Sequence, residues 1–377
     1  MRLEIHPQET DYPAIEEAEA SVVALIPAHD EEELIARAVA SLKNQSRVPD
    51  RIVVIADNCT DRTPEIALEE GAEVFFTSGN TQKKAGALNQ ALAKVLPSLG
   101  EADFVLVMDG DSELGERFVE VALARMAEDD RIGAVGGIFL AARRSSLVER
   151  LQHAEYVRYA REIARGGAKA KVITGTGALF RAEALREVAS ARAEGRIPGG
   201  IRQVYDTLAL TEDNELTLAL KSLGWRCVSP RECTVMTDVM PSWSRLWRQR
   251  VRWQRGAFEN LRAYGITPTT LPYILRQAFM GVGTLAVFLL VLVTALSIAV
   301  GEVSFRPFWV GLAGIFLLER IVTVWRAGYV EVAIASVLVI EFAYDLFQQV
   351  IYVKCLWDML FRKPESWGTH LFEEDPI

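Results

Sequence analysis

From Ala278 to Val300 the chain carries no charged side chain. A helix needs about 20 apolar residues to cross the hydrocarbon core of a bilayer, and this run is long enough. The chain is therefore expected to divide into a part that buries its apolar residues inward and a part that turns them outward to lipid. Pro307 to Trp325 is also apolar but holds Glu319 and Arg320, and it reads as a second span. Val332 to Val353 contains Glu341 and Asp345 one helical turn apart. That region is expected either as a third span with its charges turned inward or as a helix lying in the interface. Positive charge flanks almost every segment, so loop counting sets no topology.

Composition narrows what the remainder can do. The 377 residues carry a formal net charge of −9, with acids dominating before Leu210 and arginines crowded between Arg245 and Arg262. An acidic chain lacks the general footprint of a nucleic-acid binder. A local basic patch beside apolar helices instead suits phospholipid headgroups or a pyrophosphate. The four cysteines, Cys59, Cys227, Cys233 and Cys355, form no CxxC pair, and the four histidines lack zinc-ligand spacing. This argues against a disulfide framework and a structural zinc site. Free thiols place the part before the membrane helices in a reducing cytosol. Met1 to Ala20 is polar and acid-rich without a basic start and apolar run, so no signal peptide is expected there.

Short apolar runs at Val22–Ile26, Ile52–Ala56, Val74–Phe76 and Phe104–Met108 read as strands. Helical patterns at Glu31–Leu42, Thr63–Glu69 and Ala85–Leu96 lie between them. Alternation of this kind predicts a mainly parallel α/β sheet covered on both faces, which binds ligands outside the carboxyl ends of its strands. Further helices are expected at Leu147–Arg165, Glu183–Ala189, Glu212–Leu223 and Trp243–Leu261. The last carries tryptophans and arginines in register, as a helix in the headgroup layer would. Arg192 to Asp206 is polar and glycine-containing, and it reads as a mobile loop.

Chemistry concentrates where the strands end. Asp109–Gly110–Asp111 places two carboxylates around a glycine after a buried strand, a pair suited to Mg2+ and substrate phosphates. Asp57 follows another strand and is expected to accept from a base or ribose, whereas Asp61 reads as the cap of the next helix. Pro27–Ala28–His29–Asp30–Glu31–Glu32 stands at a strand-to-helix junction, where acids are ordinary partners of the helix dipole. Lys83–Lys84–Ala85–Gly86–Ala87–Leu88–Asn89 opens a helix, a setting either for phosphate or for two solvated lysines. Thr211–Glu212–Asp213 opens another, either as an N-cap with acidic first turn or with Asp213 as a general base. Gln249, Arg252 and Trp253 share one helix face, fit for a diphosphate and a sugar ring or for anionic lipid.

Taken in order, these motifs resemble the membrane-bound members of glycosyltransferase family 2, which include the cellulose, chitin and hyaluronan synthases. The matching segments are Pro27–Glu32, Asp57–Asp61, Lys84–Asn89, Asp109–Asp111, Thr211–Asp213 and Gln249–Trp253, with Gln152–Tyr156 and Gly175–Arg181 in agreement. The resemblance implies a GT-A, Rossmann-like fold and a nucleotide-sugar donor, UDP-linked. It implies Mg2+ or Mn2+ held by Asp111 with Asp109, and catalysis by Asp213 with Glu212. Donor contacts would come from Ala28, Asp57, Lys84, Asn89, Asp109, Gln249, Arg252 and Trp253. Gly175, Thr176, Gly177 and Trp253 would face the acceptor, whether glycan, lipid or protein, with inversion at the anomeric carbon. Ala56 stands where many relatives carry an acid, and the usual helices before the catalytic domain are missing from the pattern.

The expected organisation is a polar segment over 1–20, a catalytic domain over 21–240 and an interfacial region over 241–272. Two or three transmembrane helices follow over 273–361, with a tail over 362–377. The whole reads as a multi-pass membrane protein with its catalytic domain facing the cytoplasm. A nucleotidyltransferase acting on a sugar phosphate and a non-catalytic membrane assembly protein with a relic fold are the competing readings.

Overall fold

A computed structural model describes residues 20–200, 202–301 and 307–361. The expected tail and all but Ala20 of the expected N-terminal segment lie outside them. The chain forms two compact units. One comprises residues up to Leu208 together with Glu212–Val239, and the other comprises Ala209–Thr211 together with the chain from Met240 onward.

In the first unit the four expected apolar runs become β1 (Val22–Ala28), β2 (Arg51–Ala56), β3 (Glu73–Phe76) and β4 (Phe104–Met108). Downstream lie β5 (Glu113–Leu114), β6 (Ile132–Gly136), β7 (Ile138–Ala141), β8 (Gly177–Arg181), β9 (Arg226–Val228) and β10 (Thr234–Thr237). Seven strands make the main sheet in the order β3-β2-β1-β4-β8-β6-β9, and β5-β10-β7 make a small second sheet. Pairing in the main sheet is parallel except at β8, which runs antiparallel to both β4 and β6. The sheet is thus mainly parallel, as expected.

The helices of this unit are α1 (Ile35–Lys43), α2 (Thr63–Glu69), α3 (Lys83–Val95), α4 (Phe118–Glu128), α5 (Leu147–Arg165), α6 (Ala182–Ala193) and α7 (Glu212–Ser222). They cover the sheet because β4 is buried along its whole length and β1 at all but one residue. Ile26, Leu42, Leu106, Phe118 and Met126 are among the side chains that close this core.

Register sets the rim. Ala28 pairs with Ala56, and Leu25 with Val107, so the carboxyl ends of β1, β2 and β4 lie side by side. Gly177 pairs with Met108 across the antiparallel ladder. The segment before β8 therefore adjoins the segment after β4, and one edge of the sheet collects four loops.

The second unit is helical: α8 (Trp243–Tyr264), α9 (Leu271–Val300), α10 (Pro307–Val324), α11 (Tyr329–Ala335) and α12 (Leu338–Leu360). Helices α9 and α10 are long and apolar enough to cross a membrane, with mean hydropathies of 2.5 and 1.6 over their best windows. The expected third span breaks at Ser336–Val337 into α11 and α12. Arg320 on α10 pairs with Glu341 at 3.4 Å and Asp345 at 2.5 Å on α12, so these charges face a neighbouring helix. Helix α8 packs on α12 through Val251, Ile351 and Cys355, and Trp243 and Trp247 lay their rings on Phe347.

Candidate active site

At the rim, β4 gives way to Asp109, Gly110 and Asp111. Gly110 closes against the loop after β1: a Cβ there would stand 3.5 Å from Glu31 Cγ and from the Pro27 carbonyl oxygen. Glu31 therefore shares the space of the two aspartates. Burial, then Asp111 and Asp109, push its pKa up to about 7. Burial and Asp109 push Asp111 up to about 6. Carboxyls that hold protons this near neutrality mark negative charge without full compensation. Hard oxygen donors of this kind fit Mg2+ or Mn2+.

The sequence pattern assigns Glu31 to a helix that begins there, as a partner of its dipole. Helix α1 instead begins at Ile35, and its first turn contains no acid. Glu31 lies in the turn before it, where its carbonyl accepts from Leu34 and Ile35 and its own N–H donates to Thr63. The loop residue can face the aspartates because no helix surface claims it.

Lys84 stands in the first turn of α3, as its motif implies. Its ammonium bonds Asp109, reaches Glu212 at 3.4 Å and donates to the Gly175 carbonyl at 3.4 Å. The acids around it, Asp109, Glu212 and Asp213, raise its pKa against the opposing effect of burial. One cation thereby joins the strand-end pair to the first turn of α7. Asp213 in turn accepts from the Gly175 N–H at 3.2 Å and from the Asn214 N–H at 2.7 Å. Burial and then Glu212 push Asp213 up to about 6, while Lys84 pulls it down. A Cβ at Gly175 would stand 2.8 Å from the Lys84 ammonium, so only glycine permits this approach.

The remaining expected residues separate into those at the rim and those that brace it. Thr176 lies beside Thr174, hydroxyl to hydroxyl at 3.1 Å, whereas Gly177 begins β8 and packs toward Leu114 and Val235. Ala28 is buried, and its carbonyl accepts from the Asp57 N–H. The Asp57 carboxylate accepts twice from Asn80 at 2.8 Å and once from Thr77 at 2.8 Å, so it anchors the loop after β3. Gly86 makes room for that anchor, since a Cβ there would overlap the Asn80 side chain. Asn89 is taken up by the Val204–Tyr205 backbone. It donates to the Tyr205 carbonyl at 2.8 Å and accepts from the Val204 and Tyr205 N–H groups at 3.1 and 2.9 Å.

Asp61 stands one residue before Arg62, the N-cap of α2, and accepts from the N–H of Thr63, the first helical residue, at 3.0 Å. Ligand atoms of Asp30, Cys59 and Asp61 also lie within 4.8 Å of one another, close enough for a cation by proximity. Their oxygens already serve the backbone: Asp30 accepts from Thr60 and Asp61, and Asp61 accepts from Glu32. Asp30 and Asn58 hold positive φ of 52° and 53°, a conformation these bonds help sustain. This cluster zips the first two loops together.

In the second unit, Gln249, Arg252 and Trp253 lie on α8 as expected. Arg250 stacks its guanidinium 4.3 Å from the Trp253 ring centre, and the Gln249 Oε1 atom is buried without a hydrogen-bond partner among the described residues. All four cysteines are free thiols.

Comparison with known proteins gives the family and the fold. Residues 20–256 match the family described as glycosyltransferase like family 2. The chain is 28% identical over 249 residues to a probable glycosyltransferase, YdaM, of Bacillus subtilis, covering 62% of this chain and 54% of that one. It is 24% identical over 246 residues to the poly-β-1,6-N-acetyl-D-glucosamine synthase of Staphylococcus aureus, covering 64% and 55%. The chain thus spans about half the length of these relatives. Among solved structures, the mannosyltransferase PcManGT of Pyrobaculum calidifontis, in complex with GDP-Man and Mn2+, aligns over 92% of this chain and 89% of its own. That alignment has a TM-score of 0.60 at 18% identity, a likeness of fold.

Proposed function

Because the chain belongs to glycosyltransferase family 2, we propose that it is an inverting, metal-dependent glycosyltransferase. In this reading it moves a sugar from a UDP-linked donor to an acceptor hydroxyl at a membrane. The observation that carries the reading is the Lys84 bridge, which brings Asp109 together with Glu212 and Asp213 although they lie far apart in sequence.

Asp111 and Asp109, with Glu31 beside them, are the residues to hold Mg2+ or Mn2+. The ion, when bound, neutralises charge on the departing diphosphate. Asp213 is the base. Its carboxylate is aimed by the Gly175 and Asn214 N–H groups, and a pKa of about 6 leaves it mostly ionised at neutral pH while basic enough to take a proton. The acceptor oxygen attacks the anomeric carbon as the bond to the diphosphate oxygen breaks. The hydroxyl proton passes to Asp213, and the nucleoside diphosphate leaves from the opposite face, so an α-linked donor yields a β-linkage. Glu212 and Lys84 hold the base in register with the donor acids. Gln249, Arg252 and Trp253 are assigned to the donor diphosphate and the acceptor end on the strength of their motif. Helices α9 and α10 anchor the protein in a membrane, with the catalytic unit on the cytoplasmic side that supplies nucleotide sugars. The acceptor is a glycan, a lipid or a protein.

The test is a panel of UDP-N-acetylglucosamine, UDP-glucose and GDP-mannose given to the full chain in membranes with Mn2+. Release of a nucleoside diphosphate that stops on chelation is expected, and Asp213→Asn should retain donor binding while losing about 10³-fold in turnover. Release of pyrophosphate when a nucleoside triphosphate and a sugar 1-phosphate are supplied in place of the panel would point to a nucleotidyltransferase. Absence of both donor binding and cleavage would mark a non-catalytic protein.

A further inference from the structure

The segment read from sequence as a mobile loop carries two buried residues near the base. Val204 and Tyr205 are each only 3% exposed. Two clamps hold them. From α3, Asn89 uses both its amide oxygen and its amide nitrogen on this one dipeptide. From α6, Arg192 donates to the Val204 carbonyl at 3.1 Å and also bonds the Pro198 carbonyl. The same guanidinium pairs with Glu215 at 2.6 Å, both side chains being essentially inaccessible at 0% and 1% exposure. Glu215 stands on α7 two residues beyond Asp213, so one buried ion pair ties the loop to the helix that carries the base.

What the clamps hold in place is a ring. Tyr205 lines a cavity of about 10 Å3 whose other walls include Lys84, Thr174, Gly175 and Asp213. That is close to the smallest space that admits one water-sized group. Burial raises the Tyr205 phenol above its ordinary range, so it remains a neutral hydroxyl able to donate or accept. A tyrosine needed only for packing would not require clamps from two helices to fix its backbone beside a titrating carboxylate.

We propose that Tyr205 is an acceptor-positioning residue whose ring closes an oxygen-sized seat beside Asp213 against bulk water, with Asn89 and the Arg192–Glu215 pair as its clamps. This rests on Asp213 being the base of a glycosyl transfer. The seat takes the single hydroxyl that reacts. An unguarded base would activate water instead: its oxygen would bond to the anomeric carbon, its proton would pass to Asp213, and free sugar would leave beside the nucleoside diphosphate. Closure against such loss is a general requirement of sites that handle reactive donors.

The readout is donor hydrolysis without added acceptor, by the Mn2+-loaded full chain in membranes, using the donor that the panel identifies. Tyr205→Ala is expected to hydrolyse donor about tenfold faster than the unaltered protein, and Asn89→Ala should shift in the same direction by loosening the loop. Tyr205→Phe, which keeps the ring, should stay within about twofold in hydrolysis. A merely structural role would slow every reaction and could not accelerate this one. Hydrolysis unchanged or slower in Tyr205→Ala, with UDP binding intact by calorimetry, overturns the proposal. Should that variant fail to fold, the same result in Asn89→Ala overturns it. An unaltered protein that neither binds UDP nor cleaves any donor overturns the functional reading instead.

Discussion

The acid limb of the pH–rate profile offers a signed test of the site, because Asp213 has neighbours of both charges. Its pKa of about 6 is set first by burial, then raised by Glu212 and lowered by Lys84. A base must be ionised, so turnover should fall as pH falls. With a half-point near pH 6, the ionised fraction is about nine-tenths at pH 7 and about one-tenth at pH 5, a loss of roughly tenfold. Glu212→Gln removes the like charge and frees Lys84 to turn toward Asp213. Both effects favour the carboxylate, and a shift of about one unit, worth ~1.4 kcal/mol, moves the half-point to about pH 5. Lys84→Met removes the opposing cation and should move it up, to about pH 7. Each variant is read against its own high-pH plateau, under saturating donor and Mn2+, by nucleoside diphosphate release between about pH 4.5 and 8.5. Limbs that move in the same direction, or an unaltered enzyme whose rate is flat through pH 6, would refute Asp213 as the titrating base.

Three further outcomes follow from the packing. Asp111→Ala should weaken Mn2+-dependent UDP binding by at least about tenfold in calorimetry, since a charged ligand to the ion is lost; unchanged affinity would remove Asp111 from the metal site. Arg192→Met should destabilise the protein by about 3–5 kcal/mol in thermal unfolding, because the buried Glu215 loses the guanidinium it pairs with, and Arg192→Met with Glu215→Leu should recover most of the loss. Arg320→Leu removes the cation that Glu341, only 2% exposed, and Asp345 share within the apolar helical unit. It should lower the yield of folded protein in membranes, and adding Glu341→Gln should restore part of it.

The rim is legible in the sequence to the extent that it is built by strand ends. Four apolar runs stop at polar clusters, and parallel pairing puts such ends together wherever helices intervene, so Asp57, Asp109 and Asp111 follow from pattern alone. Lys84 is found by pattern as a lysine at a helix N-terminus, but only the fold reveals that Asp109 and Glu212 lie within its reach. Glu31 escapes because the helical pattern starts four residues before the helix does, which disguises a loop acid as a dipole partner. Tyr205 escapes because glycine and polar residues around it resemble a mobile segment. Its order comes from Asn89 and Arg192, both supplied by other elements. The break of the last apolar region into α11 and α12 also escapes the pattern, since neither proline nor glycine marks Ser336–Val337. Strand direction at β8 leaves no local trace at all, because a short apolar run reads alike both ways.

That single inverted strand has a consequence for how such a protein diversifies. In a wholly parallel sheet, residues leading into a strand lie at the far edge from those leaving it. Here Gly177 sits opposite Met108, and the tripeptide Thr174–Gly175–Thr176 arrives on the working edge from the other direction. Within it, among the described residues, only Gly175 is bound to the rest of the rim, through Lys84 and Asp213, whereas the loops after β1 and β2 are locked to one another through Asp30, Asp61 and Thr63. Exchange at Thr174 and Thr176, with Gly175 kept for its approach to Lys84, therefore changes the working edge without disturbing the bonds that join the first two loops.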